Sequence, residues 1–454
     1  MADFTLTRGF VDKVKQAIEL KEERRLKHKL SKLHPADIAD LFRELDLEEA
    51  KYIYLLADDE TAADVILELE EDERRRFLDA LPSEVIARRF IDQMDSDDAA
   101  DVLGEMDDDR QQEVLSHIED VKVAGDIADL LNFHEDSAGG LMAKEYIQVK
   151  ESWNLPTCLR SMRRQGEDVH EVYYVYVVDN DGILKGTLSL KRLLLSPEHA
   201  TVKDIYNDKL ISVRTDASGE EVSAIMEKYD LVALPVVDVL GRLVGRITID
   251  DVVDFIREEA EKDYQLASGI TEDVESSDSV WIHTRARMPW LLLGMLGGIL
   301  SSRVVGGFIG LLSEHPQLAF FMGLIAAMAG NTGMQSAAII VQSLASGNMR
   351  LDSTWNKLLK ELSIALLNAT VLGGIILGYN YAIGANIALT YTVAIAMFSV
   401  VVFASLLGTF IPLLMKRLKI DPAVATGPFV TTMNDIIGMF VYLSIATVCY
   451  SILM

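Results

Sequence analysis

The residue with the most chemistry to explain is Asp435. It lies in DPAVATGPFVTTMNDIIGMF (421–440), after which the chain runs almost wholly apolar to its last residue. A helix begun near Val424 carries Asp435 about eleven residues, or about 16 Å, along its axis. That is close to the middle of an apolar layer about 30 Å thick. A carboxylate at such depth costs about 3 kcal/mol or more to insert, so it faces a wet path or a partner. Gly427, Thr431, Thr432 and Gly438 leave room beside it for water or a close helix. The chemistry on offer is oxygen coordination of a cation. The competing reading is an acid that is protonated or paired with an intramembrane base, and Arg303 is the candidate base.

A second polar feature interrupts an apolar segment at AGNTGMQSA (329–337). Its glycines, Asn331, Thr332 and Gln335 predict irregular backbone lining protein or water. A patch of small residues for close helix packing is the alternative.

These residues need a membrane-spanning frame. Five apolar segments supply it, at 288–312, 317–343, 363–383, 387–415 and 424–453, and several are long enough to cross with some tilt. Arg285 and Arg287 precede the first; Arg350, Lys357 and Lys360 join the second to the third; Lys416, Arg417 and Lys419 join the fourth to the fifth. The other two loops hold neither Lys nor Arg, which places the N-terminus in the cytoplasm and the C-terminus outside. MADFTLTRGFVDKVK has no apolar stretch of signal-peptide length, in keeping with a cytoplasmic N-terminal part.

Charge divides the chain at about residue 280. Residues 281–454 hold five acids and nine bases, a balance of +4, which leaves −31 of the overall −27 for residues 1–280. So acidic a soluble part repels nucleic acid and attracts cations. Two cysteines, Cys158 and Cys449, provide no disulfide framework and suit a reducing compartment. The eight histidines are scattered, with no pair at metal-ligand spacing, and no nucleophile motif or phosphate-cradling glycine loop speaks for an enzyme.

Within the acidic part, residues 35–118 repeat with a period of twelve or thirteen. The units end at Leu45, Ala57, Leu69, Leu81, Met94, Met106 and Ile118, and TAADVILELEEDE matches DAADVLGEMDDDR at an offset of 37. Short amphipathic helices of this kind bury little alone and must stack into a helical solenoid. From 144 to 256, short β-branched runs alternate with helical ones. VYVVDNDGILKGTLSLKRLL (175–194) and LPVVDVLGRLVGRITIDDVV (234–253) match at a constant offset of 59, aligning Asp179 with Asp238, Gly182 with Gly241 and Gly186 with Gly245. Each copy reads as strand, glycine turn, strand and capped helix.

This doubled pattern resembles a tandem pair of CBS (cystathionine-β-synthase-type) repeats, an α/β module that often binds adenine nucleotides or ions. In such repeats an Asp in the first helical turn often meets a ribose; the second copy has Asp250 and Asp251 there, the first Lys191 and Arg192, an altered cleft. FIREEAEKDYQLASGITEDVE (255–275) then reads as an acidic helix leading to the membrane.

The whole combination resembles the MgtE family of magnesium channels. GNTGMQS and DPAVATGPFVTTMNDIIG look like that family's membrane motifs. The resemblance implies a multidomain fold: an all-α helical solenoid (1–135), an α/β tandem CBS module (136–256), a linking or plug helix (257–283) and a five-helix transmembrane pore domain (284–454). It implies a homodimer in the cell inner membrane, with a pore on the two-fold axis and cytosolic domains that sense magnesium. Asp435 matches the acid holding hydrated Mg²⁺ in the pore, and Asn331 and Thr332 match its lining. Asp421 resembles the acid that meets the linking helix in the shut state. Asp97 and Asp101 match regulatory acids of the helical domain, and Glu220, Asp230, Asp251, Asp254, Glu259 and Asp263 match those of the CBS module and linker. Met334 replaces a polar Asn of the motif, and Lys262 stands where a further acid is expected, with Glu261 beside it.

The expected function is therefore Mg²⁺ uptake, shut off by intracellular Mg²⁺ bound to the acidic domains. The residues leave two other readings open: a coupled carrier exchanging a divalent cation, and a membrane-anchored CBS sensor that transports nothing.

Overall fold

In this computed structural model the described residues are 6–166, 169, 172–197, 199–271, 274, 279–345, 354–422 and 427–453. Arg350, Asp352, Val424, and Glu272, Asp273 and Glu275 of the linker lie outside them, as does the AVAT (423–426) of the last motif. The chain divides into two compact units, Met1–Arg257 and Glu258–Met454.

The first unit opens with ten short helices. They are α1 (Arg8–Glu19), α2 (Glu23–Leu30), α3 (Pro35–Arg43), α4 (Leu47–Tyr54) and α5 (Asp59–Leu67). There follow α6 (Glu71–Asp79), α7 (Ser83–Arg89), α8 (Ser96–Gly104), α9 (Asp108–His117) and α10 (Val121–Leu130). The repeat ends are core positions: Leu69 and Ile118 are buried, and Leu45, Ala57, Leu81, Met94 and Met106 pack against the same cluster. Several helices start on an acid that accepts from their own first turn. Asp46 Oδ1 accepts from the Glu49 amide at 2.8 Å and Asp58 Oδ1 from the Thr61 amide at 3.0 Å. Asp46 and Asp58 of the repeat therefore serve as helix caps.

Two three-stranded sheets follow. β1 (Ile147–Lys150) pairs in parallel with β2 (Val175–Val178), which pairs antiparallel with β3 (Leu184–Leu188). The second copy repeats this with β4 (Val213–Arg214), β5 (Ala233–Val237) and β6 (Leu243–Thr248). Helices α11 (Leu155–Gln165), α12 (Leu190–Leu195), α13 (Val202–Ile205) and α14 (Gly219–Tyr229) complete the pair. The aligned turn residues have a plain local reason. Gly182 and Gly241 sit at φ +82° and +79°, where side chains are disfavoured. Asp179 Oδ1 accepts from the amides of Asp181 and Ile183, and Asp238 Oδ1 from those of Leu240 and Arg242. Val213, Leu234, Val236 and Ile247 of the second copy join the core of the helical repeat. The first copy keeps a separate core around Ile147, Val175 and Leu188.

Helix α15 runs Ile249–Ala267 without a break, so the expected linking helix starts inside the CBS pair and ends at Gly269, whose φ is +82°. Five long apolar helices make up most of the second unit: α16 (Val280–Gly307), then after short α17 (Ile309–Glu314) α18 (Ala319–Ala345), α19 (Thr354–Ala382), α20 (Ile387–Arg417) and α21 (Pro428–Leu453). All five contain a segment long and apolar enough to cross a membrane.

Three sequence expectations change here. The AGNTGMQSA stretch is helical throughout, inside α18. Its glycines admit neighbouring helices: Gly333 lies against the Asn434 side chain, and the backbone of Gly333 meets Gly408. Helix α21 starts at Pro428, since Pro suits a first helical turn, so Asp435 is seven residues, or about 10 Å, from its start and not the eleven residues expected. Finally, α19 starts nine residues earlier than expected, which moves Lys357, Lys360 and Glu361 from the loop onto the helix.

The α18–α20 contact is backbone against backbone at Gly408, so no flexible side chain can retreat from a substituent there. Gly408→Val should destabilise the membrane unit by about 1–3 kcal/mol through overpacking. Thermal melting of the detergent-purified chain checks this, with Gly374→Ala, at a position open to solvent or lipid, as the control.

Candidate cation sites

The first unit gathers acids where α8 meets the start of α15. Carboxylate oxygens of Asp95, Asp97 and Glu145 lie within 4.8 Å of one another. Opposite ligands of an octahedral Mg²⁺ stand about 4.2 Å apart, so this spacing suits one ion held directly or through water. Ser96 fastens the group: its amide and hydroxyl both donate to Glu145 Oε2, at 3.1 and 2.8 Å. Asp251 reaches it from the second CBS copy, where it also caps α15 by accepting from the Thr248 amide and hydroxyl at 2.9 and 2.6 Å.

The electrostatics show an excess of negative charge. Burial, and then the charges of Asp251, Asp98, Asp95 and Glu145, push the Asp97 carboxyl well above its usual range. Burial and the charges of Asp251, Asp101, Asp95 and Asp250 push Asp98 up to about 7. Asp251 is raised by burial despite its bonds from Thr248. Arg246 provides a positive charge, 3.6 Å from Asp95.

Of the acids expected from the sequence, Asp97 and Asp251 thus come together, and Asp101 is exposed near Asp98. Glu220, Asp230 and Asp254 are exposed elsewhere: Glu220 accepts from Ser218, Asp230 ends α14 at φ +50°, and Asp254 is 3.4 Å from Arg257. Glu259 pairs with Lys262 at 3.3 Å, and Asp263 is half-buried on the same helix. Asp95, Asp98 and Glu145 were not anticipated. The run DSDD (95–98) carries a signal for the first two. Glu145 has none, because its contact with Ser96 spans 49 residues.

In the second unit, Asp435 is half-buried and its Oδ1 faces Gly330 of α18, where a Cβ would stand 3.3 Å away. Gly330 thus keeps space beside the acid. Asn331 next to it is exposed and Thr332 is half-buried. Thr432 fits against Gly297 of α16. Asp435 makes no ion pair among the described residues, and Arg303 is exposed on α16, so the two are not paired within the chain. Asp421 is exposed ahead of α21, while Ala267 and Gly269 at the end of α15 lie against Gly427 and Pro428. Arg303 is thus not buried, and Glu361 of α19 is half-buried, bonded to Ser336 and Ser405.

Five apolar helices, a half-buried acid among them and an acid-rich extramembrane unit define a multi-pass membrane protein built to handle cations. Comparison with known proteins narrows the class. A family model described as a divalent cation transporter matches residues 322–445, one for the MgtE intracellular N domain matches 33–136, and CBS models match 138–198 and 202–258. The chain is 34% identical to the magnesium transporter MgtE of Thermus thermophilus, over 95% of this chain and 97% of that one. It is 31% identical to the MgtE of Bacillus subtilis, over 92% of each. The crystal structure of the cytosolic domain of the Mg²⁺ channel MgtE in complex with ATP superposes with a TM-score of 0.51 at 36% identity, covering 54% of this chain and 99% of that one. The soluble part of a magnesium transporter gives 0.50 at 26% identity, covering 55% and 98%. The chain belongs to the MgtE family.

The raised carboxyls set a pH dependence. A carboxyl whose value is raised in the folded state costs nothing at low pH and destabilises as pH climbs past its ordinary 3.8 toward about 7. Without divalent cations, protection of residues 1–257 from proteolysis in the full chain should fall across that window, and Mg²⁺ should restore it at the upper end. Asp97→Asn with Asp98→Asn should flatten both responses.

Proposed function

We propose that this chain is a magnesium channel, driven by the membrane potential and shut by Mg²⁺ bound to its extramembrane acids. The observation that carries the reading is Asp435, half-buried, facing the space kept by Gly330 and without a basic partner among the described residues. The names of the related proteins support Mg²⁺ as the cargo.

Mg²⁺ favours oxygen, holds near-octahedral geometry and sheds water reluctantly. In a homodimer with its pore on the two-fold axis, two Asp435 carboxylates hold the hydrated ion through its water shell, and Asn331 and Thr332 supply further oxygens. Binding is tight enough to admit the ion and loose enough to release it. An inward potential adds about 4.6 kcal/mol per 100 mV for a divalent ion, twice the single-charge value. In this reading the N-terminus is cytoplasmic and the C-terminus outside, and the working parts are residues 1–135, 136–256, 257–283 and 284–454.

Gating follows from charge. The acids around Asp97, Asp98 and Asp251 repel one another until a cation joins them. Mg²⁺ then favours the compact state in which the α15 end rests against the start of α21, and its loss releases that state, a population shift by differential affinity. Adenine nucleotide at the CBS pair is a second ligand suggested by the relative solved with ATP.

Asp435→Ala should abolish Mg²⁺ uptake in a magnesium-dependent strain while membrane expression and melting stay near wild type; normal uptake removes the pore assignment. Neutralising Asp251 and Asp254 together should raise the Mg²⁺ concentration that closes the channel. Asp251→Asn alone should account for most of the shift, because Asp251 lies with the buried acids whereas Asp254 is exposed beside Arg257.

A further inference from the structure

The second unit contains a carboxyl that the transport reading does not use. Glu361 lies in the third turn of α19, about 10 Å from its start. Its Oε1 accepts a hydrogen bond from Ser336 Oγ of α18 at 2.7 Å and another from Ser405 Oγ of α20. The two hydroxyl oxygens are 3.0 Å apart. Ser336 is 5% exposed and Ser405 2%. Three oxygens from three helices therefore converge inside a region long and apolar enough to lie in the membrane.

The charge there is not balanced by protein. Among the described residues no Lys, Arg or His nitrogen lies within 4.0 Å of Glu361. Helix α18 carries no acid or base at all, and the bases of α20, Lys416 and Arg417, are eleven or more residues beyond Ser405, about 16 Å away. On its own helix Lys357 is half-buried one turn earlier and Lys360 is exposed. Polar groups next to the cluster also lack partners. Thr409, one turn from Ser405, is fully buried with its hydroxyl unbonded. Asn434 is 1% exposed with both amide atoms unbonded, against Gly333, which is three residues from Ser336.

Glu361 itself is half-buried, held between two buried serines, and a carboxylate so placed without a protein countercharge takes one from solution. We infer that Glu361, Ser336 and Ser405 form an intramembrane site for one monovalent cation, a proton or Na⁺, separate from the Mg²⁺ path at Asp435. One positive charge neutralises the site, whereas a divalent ion would leave it positive. Oxygens already in hydrogen-bond contact leave no room among them for the water shell that Mg²⁺ retains. The two cations use the hydroxyls differently. With Na⁺ bound, both serine oxygens are ligands through their lone pairs. With no cation, both hydroxyls donate to the ionised carboxylate, and protonation competes with that arrangement.

The test uses the purified full chain in detergent at fixed Mg²⁺, with melting temperature as the readout. In one arm Na⁺ replaces choline at constant pH; in the other pH is varied in choline. Wild type should melt higher with Na⁺, or lower as pH rises. Glu361→Gln, neutral without a cation, should lose that response while keeping the one due to the extramembrane acids. Ser405→Ala carries the test if Glu361→Gln fails to fold, and it separates the cations. Loss of one hydrogen bond to a charged group should weaken Na⁺ about tenfold if Na⁺ is the ligand, and tighten the proton by a similar factor if the proton is. Identical responses of wild type, Glu361→Gln and Ser405→Ala in both arms overturn the inference. Because the readout is heat stability and not flux, that result would leave the assignment of Asp435 standing.

Discussion

Burying a carboxylate costs several kcal/mol unless something positive or hydrogen-bonding meets it, and this chain buries Asp97 in its first unit and half-buries Asp435 and Glu361 in its second. The fold is arranged to hold that cost in place. At Asp435 the opposing residue is Gly330, so the space beside the acid is not filled by protein. At Glu361 two buried serines meet the charge directly. At Asp97 and Asp98 the neighbours are further acids, and the cost is raised by them. On the proposed reading these three environments give one residue class three different needs: a hydrated ion, a single compensating charge, and a divalent bridge.

The two membrane carboxyls are comparably placed. Asp435 is seven residues past the start of α21 and Glu361 seven past the start of α19. In a bundle whose spans alternate in direction, these starts lie on the same side. Helix α18 stands between them in function: Gly330 faces Asp435, and Ser336 faces Glu361. A helix of small residues can serve both because glycines at 330 and 333 let α20 and α21 approach closely.

What was legible in the sequence follows the range of the interaction. The turn residues Asp179, Gly182, Asp238 and Gly241 answer to contacts within four residues, and the repeat ends and the doubled strand–turn–strand show themselves by period, so all were readable. The acids at 97, 101 and 251 were reached through family resemblance, and the meeting of Asp97 with Asp251 is a long-range fact. Glu145 was missed because its partner Ser96 is 49 residues away. Glu361 was missed for a different reason. Hydropathy starts the third span at 363, whereas the helix continues through Lys357, Lys360 and Glu361, since long charged side chains at a helix end still permit a helical backbone. The polar run at 329–337 looked like a break because glycine disfavours isolated helices. Here packing outweighs that propensity, and the glycines are where the neighbours touch.

The central claim is that the acid in the last helix meets a cation along a wet route. It is tested most directly by a structure of the full-length assembly grown or soaked in Mn²⁺ and measured at the manganese absorption edge. The account predicts anomalous density between two Asp435 side chains on the dimer axis, too far from each carboxylate for direct ligation and bridged by water. An Asp435 turned to lipid, or a wet axis without any metal beside it, would contradict the account.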